Sequence, residues 1–219
     1  MGMTVSPDSQ KAAAEALVVA ASGIDGVDAE VAERSSGTNP RYVVVANASP
    51  GSWRTLAEKL YSEHAVDHCS MVTGIHWPEG DAERKWEVVY HLMRTGVRDP
   101  PNENGIVRPV IVNPSKARGA SMPLELEIHV HLPDSTTPSV DSVQDIWVGA
   151  DWNEKETWDL VGIDFDGHQG MRRVLQPHET PKGYHPLQKQ HHLRYHGFQE
   201  MYDDAQGFMR KPADVGKIK

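Results

Sequence analysis

The chain has 219 residues, 38% of them hydrophobic, and a formal net charge of −9 at pH 7. This length allows one domain with extensions or two small domains, and the low apolar share predicts polar segments without a core of their own. The negative charge argues against a nucleic-acid-binding protein. A single cysteine, Cys69, excludes an intrachain disulfide and a cysteine-ligated iron–sulfur or structural zinc site, and we expect it to be buried.

The first half of the chain alternates between patterns typical of helices and of strands. After a loose N-terminus over residues 1–8, apolar residues at helical spacing predict a helix over residues 9–22, ending at Gly23. A second helix is predicted from Ser52, as its N-cap, to about His64. Its apolar face would consist of Trp53, Leu56, Ala57 and Leu60. Strands are predicted over residues 27–34, 41–46, 66–76 and 86–94.

The strongest periodic signal lies at residues 124–132, where apolar and polar residues alternate strictly, as expected for a half-buried strand. His129 and His131 fall on its polar face. Residues 95–121 lack periodicity and predict a long loop. Together these elements predict an α+β fold over residues 9–135, a two-layer domain with helices on one face of a mixed five-stranded sheet.

Two short helices are predicted to follow over residues 136–175. The first would share an apolar face of Val140, Val143, Ile146 and Trp147. The second would start at Asn153, with Glu156 completing a capping box, and end at Gly162. From residue 176 to 219 the chain is polar, and we expect an extended tail that wraps its partners in a complex.

Part of this region resembles a known family. The sequence NEKETWDLVGIDFDGH over residues 153–168 is followed by MRRVL at 171–175 and GYHPL at 183–187. These residues resemble the signature of the complex I thirty-kilodalton subunit family, which is also known as the C subunit of NADH-quinone oxidoreductase. Residues 138–152 are similar to the family upstream of the signature, and residues 86–92 are similar to it more weakly.

The resemblance implies a non-catalytic peripheral-arm subunit of a complex I-type NADH:quinone oxidoreductase, whose electron transfer is coupled to ion translocation. It would scaffold the quinone-site (forty-nine-kilodalton-type) subunit and the iron–sulfur subunits, on the cytoplasmic side of the inner (plasma) membrane. No catalytic, cofactor-binding or metal-binding residue is expected in this chain, because the iron–sulfur clusters, FMN and quinone would belong to partner subunits. Membrane contact would occur only through the complex, since no apolar run approaches the ~20 residues that span a bilayer.

The residues expected to form a partner interface or a structural network lie in or near the signature. They are Trp152, Glu154, Glu156, Trp158, Asp159, Gly162, Phe165, Gly167, His168, Arg172, Arg173, His185 and Pro186.

The charges of the signature leave two interpretations open. The planar guanidinium of arginine matches a carboxylate, so Glu156 or Asp159 could pair with Arg172 or Arg173 within the chain. Alternatively, some of these charges could meet a neighbouring subunit. Eight acids and one base lie in residues 141–170, whereas nine Lys and Arg residues and five acids lie in residues 171–219. This contrast indicates either two solvated faces or two docking surfaces of opposite sign.

Other chemistry is suggested by histidines and paired acids. Six of the twelve histidines lie between residues 168 and 196, and His192 and His196 are four residues apart. A His-rich metal-binding enzyme or metallochaperone is therefore an alternative function. Asp164 and Asp166 could be claimed as an acid–base pair, but we interpret them as a solvated acidic loop. The equivalent subunit of a related hydrogenase or deazaflavin-linked complex is a further alternative.

Overall fold

A computed structural model describes residues 6–36, 39–96 and 122–191. Within these ranges there are three α-helices, which are α1 (Pro7–Ser22), α2 (Pro50–Ser62) and α3 (Ala150–Val161), and one short 3-10 helix, Ala82–Arg84. The strands are β1 (Val27–Ser36), β2 (Asn39–Ala48), β3 (His68–His76), β4 (Trp86–Arg94), β5 (Leu124–Leu132), β6 (Ser139–Asp141) and β7 (Asp164–Asp166).

Five strands form one mixed sheet in the order β1-β2-β5-β4-β3. Strands β2 and β5 are parallel, and the other neighbours are antiparallel. The alternation in β5 determines the two faces of the sheet. Leu126, Ile128 and Val130 are buried on one face, while His129 and His131 lie on the other and are only partly buried. The predicted mixed five-stranded sheet, including the strand over residues 124–132, is confirmed.

All three helices pack on the apolar face of this sheet. Trp53 of α2 is fully buried and stacks on Tyr90 of β4 with ring centroids 4.0 Å apart. Helix α3 packs on β3 at Gly74, where an added Cβ would lie only 2.8 Å from a methyl group of Thr157. A side chain at this glycine would therefore push the helix away from the sheet. The predicted two-layer α+β architecture is confirmed.

The prediction of two short helices after residue 136 is only half right. Residues 139–141 form β6, which pairs in parallel with β7, and a turn follows at residues 144–146. Val143 and Trp147 are buried as expected, but they anchor this turn in the common core and form no helix.

Helix starts also differ from the prediction. Helix α2 begins at Pro50 after the N-cap Ser49, and Ser52 instead donates its hydroxyl to the carbonyl of Asp25 at 2.6 Å. Proline suits the first turn because its fixed φ and missing N–H cost nothing there. Helix α1 likewise begins at Pro7, within the stretch predicted to be loose.

Helix α3 begins at Ala150 with Gly149 as its N-cap, so Asn153 is inside the helix and the predicted capping box is not formed. The side-chain amide of Asn153 donates to the carbonyl of Gly149 at 2.7 Å. Most of the predicted loop over residues 95–121 and the tail beyond residue 191 lie outside the described residues. The first part of the tail is bound to α3, as described below.

The sheet face opposite the helices carries a row of ionic groups. His129 lies between two carboxylates, with Nδ1 2.6 Å from Glu87 and Nε2 3.1 Å from Glu127. Trp77 donates its indole N–H to Glu87 at 2.7 Å, and Arg34 donates to Glu127 at 2.7 Å. The hydrogen bond to Glu87 raises the pKa of His129, while the pKa of Glu87 is lowered by the same bond. An imidazolium that donates to both carboxylates accounts for these shifts.

This network predicts a pH-dependent stability. Because the folded-state pKa of His129 is raised, its contribution is complete below the unfolded pKa of about 6.5 and is lost as pH rises through the folded value. We expect His129→Gln to reduce the free energy of unfolding more at about pH 6 than at about pH 9, measured by urea titration. In a background carrying Glu87→Gln and Glu127→Gln this difference should disappear. An equal loss at both pH values in the unaltered background would contradict the prediction.

Candidate functional site

The centre of the signature region is the carboxylate of Asp159, whose side chain is fully buried near the C-terminal end of α3. Its Oδ2 accepts the backbone N–H groups of Val174, Leu175 and Gln176 at 2.8–3.0 Å. Its Oδ1 accepts from Nη1 of Arg173 at 2.7 Å. Burial alone would raise the pKa of Asp159, but these donors together lower it below its usual range. The carboxylate is therefore ionised and fully engaged within the chain.

Arg173 extends this arrangement to the following segment. Its Nη2 donates to the carbonyls of Pro181 and Tyr184 at 3.1 and 3.2 Å, and its guanidinium lies 5.6 Å from the ring centre of Trp158. We call residues 171–189 the strap. The structure describes all of these residues, which lie along α3 and form no helix or strand. The pair of Asp159 and Arg173 thus connects the end of α3 to two parts of the strap.

The strap also satisfies the backbone at the end of α3. His185 donates to the carbonyl of Asp159 at 3.0 Å, the N–H of Leu187 to that of Leu160 at 2.9 Å, and the Gln188 amide to that of Val161 at 2.8 Å. The last carbonyls of a helix have no partner within the helix, so side chains and neighbouring backbone must supply donors.

Gly162 makes this close contact possible. It ends α3 at φ +86°, in the left-handed region, as predicted, and its N–H donates to the carbonyls of Thr157 and Trp158. An added Cβ would lie 2.6 Å from the ring of His185. Glycine is needed here for both conformation and space.

Glu154 occupies a second buried site on α3. The side chain is fully buried and accepts from the hydroxyl of Ser142 at 2.6 Å and from the N–H of Val143 at 2.9 Å. Burial raises the pKa of Glu154 to about 7, although both hydrogen bonds act in the opposite direction. Glu154 connects α3 to the turn after β6, which the sequence had not indicated.

His168, in the turn after β7, is enclosed beside the first turn of α3. Its side chain is fully buried, with Nε2 3.1 Å from the carboxylate of Asp151 and 3.9 Å from that of Glu154. Asp151 also pairs with Lys155 at 2.6 Å. His168 is therefore part of the packing between β7 and α3.

The remaining predicted residues divide into buried and exposed ones. Phe165 is buried, while Trp158 and Pro186 are partly buried and Gly167 adopts φ +84°. Trp152 is 56% exposed and lies on the outside of α3. Of the four possible acid–arginine pairs, only Asp159 with Arg173 is formed among the described residues. Glu156 is partly buried, and Arg172 is exposed.

Two structural contacts were not predicted. Arg54 of α2 binds Asp145 through two hydrogen bonds of 2.7 and 2.6 Å and also donates to the carbonyl of Ser142. The indole of Trp147 donates to the carbonyl of Val66 at 2.9 Å. These partners are more than 80 residues apart in sequence, and spacing gives no signal at that distance.

Metal-binding groups do not converge in the part of the chain that the structure describes. No cluster of three or more His, Cys, Asp or Glu residues there has an arrangement that could hold an ion. His192 and His196, the pair behind the metal-binding alternative, lie outside the described residues. Cys69 is buried, as expected, and burial raises the pKa of its thiol to about 12. None of the described helices is long and apolar enough to cross a bilayer.

These observations define a class, a two-layer α+β protein whose signature residues hold backbone segments together. The comparisons then give the family. The model for the 30 kDa subunit of the respiratory-chain NADH dehydrogenase matches residues 46–197. The chain belongs to this family, and the resemblance seen in the sequence is confirmed.

Curated relatives carry corresponding names. The C subunit of NADH-quinone oxidoreductase from Agrobacterium fabrum is 31% identical over 137 residues, which cover 61% of this chain and 51% of that protein. The C/D subunit of the same enzyme from Gluconacetobacter diazotrophicus is 48% identical over 69 residues, covering 32% of this chain and 11% of that protein. The chain thus spans about half the length of the Agrobacterium relative.

One solved structure has a similar fold. A chain of the membrane-bound sulfane sulfur reductase, an archaeal respiratory membrane complex, superposes with a TM-score of 0.52 at 16% sequence identity. The match covers 86% of this chain and 89% of that chain. At this identity the similarity concerns the fold alone.

We expect Asp159→Asn to release the strap. The substitution leaves the largely buried Arg173 without its counter-charge, which typically costs about 3–5 kcal/mol. The free energy of unfolding should fall by this order, and trypsin should cleave after Arg172, Arg173 or Lys182 faster than in the unaltered protein. Glu156→Gln, on the same helix, is the control and should change neither quantity appreciably. Unaltered trypsin cleavage in Asp159→Asn would contradict this role.

A second prediction concerns Gly162. Gly162→Ala should destabilise the protein by at least about 1–2 kcal/mol, the cost of placing a Cβ residue in the left-handed region. The contact with His185 adds to this cost. Gly51→Ala is a matched control in α2, where an added Cβ meets nothing within 4 Å and alanine favours the helix. Urea unfolding of both variants measures the difference, and equal midpoints would be inconsistent with the packing described.

Proposed function

We propose that this protein is a non-catalytic peripheral-arm subunit of a complex I-type NADH:quinone oxidoreductase. The observation that carries the proposal is the family match over residues 46–197. The names of the curated relatives support it. Within such a complex the chain would scaffold its neighbours while electrons pass to quinone and ions are translocated.

The proposed partners are the quinone-site (forty-nine-kilodalton-type) subunit and the iron–sulfur subunits. The relative named as a C/D subunit supports the first of these, because its name joins a C-type and a D-type subunit in one protein. The FMN, iron–sulfur clusters and quinone would be bound by partner subunits. The complex would lie at the cytoplasmic side of the inner (plasma) membrane, with this chain as a peripheral component.

The chemistry of the signature region agrees with a scaffolding role. Asp159 and Arg173 bind each other within the chain, and Glu154 accepts hydrogen bonds from Ser142 and Val143. The side chains of these three ionic residues are at most 9% exposed, which suits a structural role better than a catalytic one. Trp152 is more than half exposed in this chain. An exposed aromatic side chain of this kind is a typical interface anchor, since a partner can bury it.

Affinity purification of the tagged full chain from native membranes in mild detergent tests the proposal. Mass spectrometry should identify a quinone-site subunit and iron–sulfur subunits in the eluate, and the eluate should oxidise NADH with a quinone acceptor. The isolated chain should have no such activity. A chain that elutes alone would refute the proposed function. Recovery of hydrogenase or deazaflavin-linked subunits instead would assign it to one of those related complexes.

A further inference from the structure

The strap exposes large apolar side chains although it has no core of its own. Leu175 is 55% exposed, Leu187 51% and Tyr184 39%. All three lie beside the end of α3, because the N–H of Leu175 binds the Asp159 carboxylate and that of Leu187 binds the carbonyl of Leu160. The carbonyl of Tyr184 accepts from Arg173, which itself binds Asp159. Exposed apolar side chains that lie close together are typical of interaction surfaces.

The backbone that carries these side chains is held in place from the inside. Asp159 binds three consecutive N–H groups of the strap, and His185 and Gln188 bind the end of α3. Inward-facing polar groups thus supply the order that a hydrophobic core supplies elsewhere. A surface ordered before binding loses less conformational entropy when a partner docks.

The charge of the strap indicates the kind of partner. It contains one acid, Glu179, and four Lys and Arg residues, which are Arg172, Arg173, Lys182 and Lys189.

 Arg173 is used inside the chain, whereas Arg172, Lys182 and Lys189 are exposed. An apolar patch with basic residues around it is complementary to a surface with apolar pockets and an acidic rim.

We propose that the strap is a docking surface for an acidic face of a neighbouring protein subunit. Leu175, Tyr184 and Leu187 would be its apolar anchors, and Arg172, Lys182 and Lys189 would guide and orient the encounter. This inference rests on the proposed function, which supplies the neighbouring subunits. It assigns the contact to one side of α3 and assigns the sign of the partner's charge.

The test compares two strap variants with matched controls in the tagged full chain. One variant reverses charge with Arg172→Glu, Lys182→Glu and Lys189→Glu, and the other removes apolar contacts with Leu175→Ser and Leu187→Ser. The controls are Lys59→Glu and Val19→Ser, at exposed positions of α2 and α1. Near-ultraviolet circular dichroism and urea unfolding check that every variant is folded. The charge-reversal variant alters only exposed side chains, so it stays informative even if the apolar variant fails to fold.

Each strap variant should reduce co-purified partner subunits by about tenfold or more, as expected when interface anchors are lost, while the controls should leave recovery unchanged. Recovery by the unaltered chain should decrease with rising salt concentration. Full recovery by folded strap variants would overturn the docking proposal and leave the proposed function intact. If the unaltered chain recovers no partner at all, the proposed function fails and the docking proposal fails with it.

Two further measurements distinguish a partner subunit from two other possible occupants of the strap, a lipid surface and a second copy of the chain. The first is flotation with vesicles of equimolar phosphatidylcholine and phosphatidylglycerol. If the unaltered chain binds these vesicles and the strap variants do not, while the variants still recover their partner subunits, the strap binds a lipid surface. In size-exclusion chromatography, a dimer of the unaltered chain that becomes monomeric only in the strap variants, with partner recovery unchanged, would assign it to a second copy. Either result would overturn the proposal.

Discussion

The ionised, buried carboxylate of Asp159 is the group on which the C-terminal part of this structure depends. A buried charge is tolerated only when it is paired and hydrogen-bonded, and Asp159 meets both conditions with four donors. In return it orders a segment that has neither a helix nor a strand. The strap follows α3 because its own N–H groups are the donors that the carboxylate requires.

The two sides of the strap differ in their chemistry, because polar groups face α3 and apolar side chains face solvent. On the inner side, Arg173, His185 and Gln188 donate hydrogen bonds to backbone carbonyls, and Arg173 also neutralises Asp159. Outside, leucine and tyrosine side chains remain in contact with solvent. A protein that uses its polar groups to hold a surface, and leaves apolar groups on that surface, is well suited to assembly. This division agrees with membership of a family named for a subunit of a larger enzyme.

Glu154 and Glu87 show how position alters the behaviour of similar groups. Glu154 is fully buried, so desolvation dominates and raises its pKa to about 7. Glu87, on the opposite face of the sheet, accepts hydrogen bonds from His129 and Trp77, and its pKa falls. The first carboxyl group connects helix α3 to a turn in the core. The second belongs to an ionic row whose stability depends on pH.

The sequence by itself determined the five strands of the sheet, the three helices and the family, because these depend on local pattern. Strict alternation marks β5, helical spacing marks the face of α2 that carries Trp53, and glycine at position 162 marks the end of α3. Helices α1 and α2 begin before their predicted starts, because Pro7 and Pro50 are favoured in the first turn of a helix.

Only the tertiary structure decided how the signature is used. Pairing of β6 with β7 replaced a helix suggested by the spacing of Val143 and Trp147, because a parallel partner lies about 25 residues further along the chain. The choice of Arg173 over Arg172, and of Asp159 over Glu156, likewise depends on which side chains face the helix. Adjacent residues of identical chemistry cannot be distinguished by composition or spacing, whereas burial and direction in the folded chain distinguish them at once.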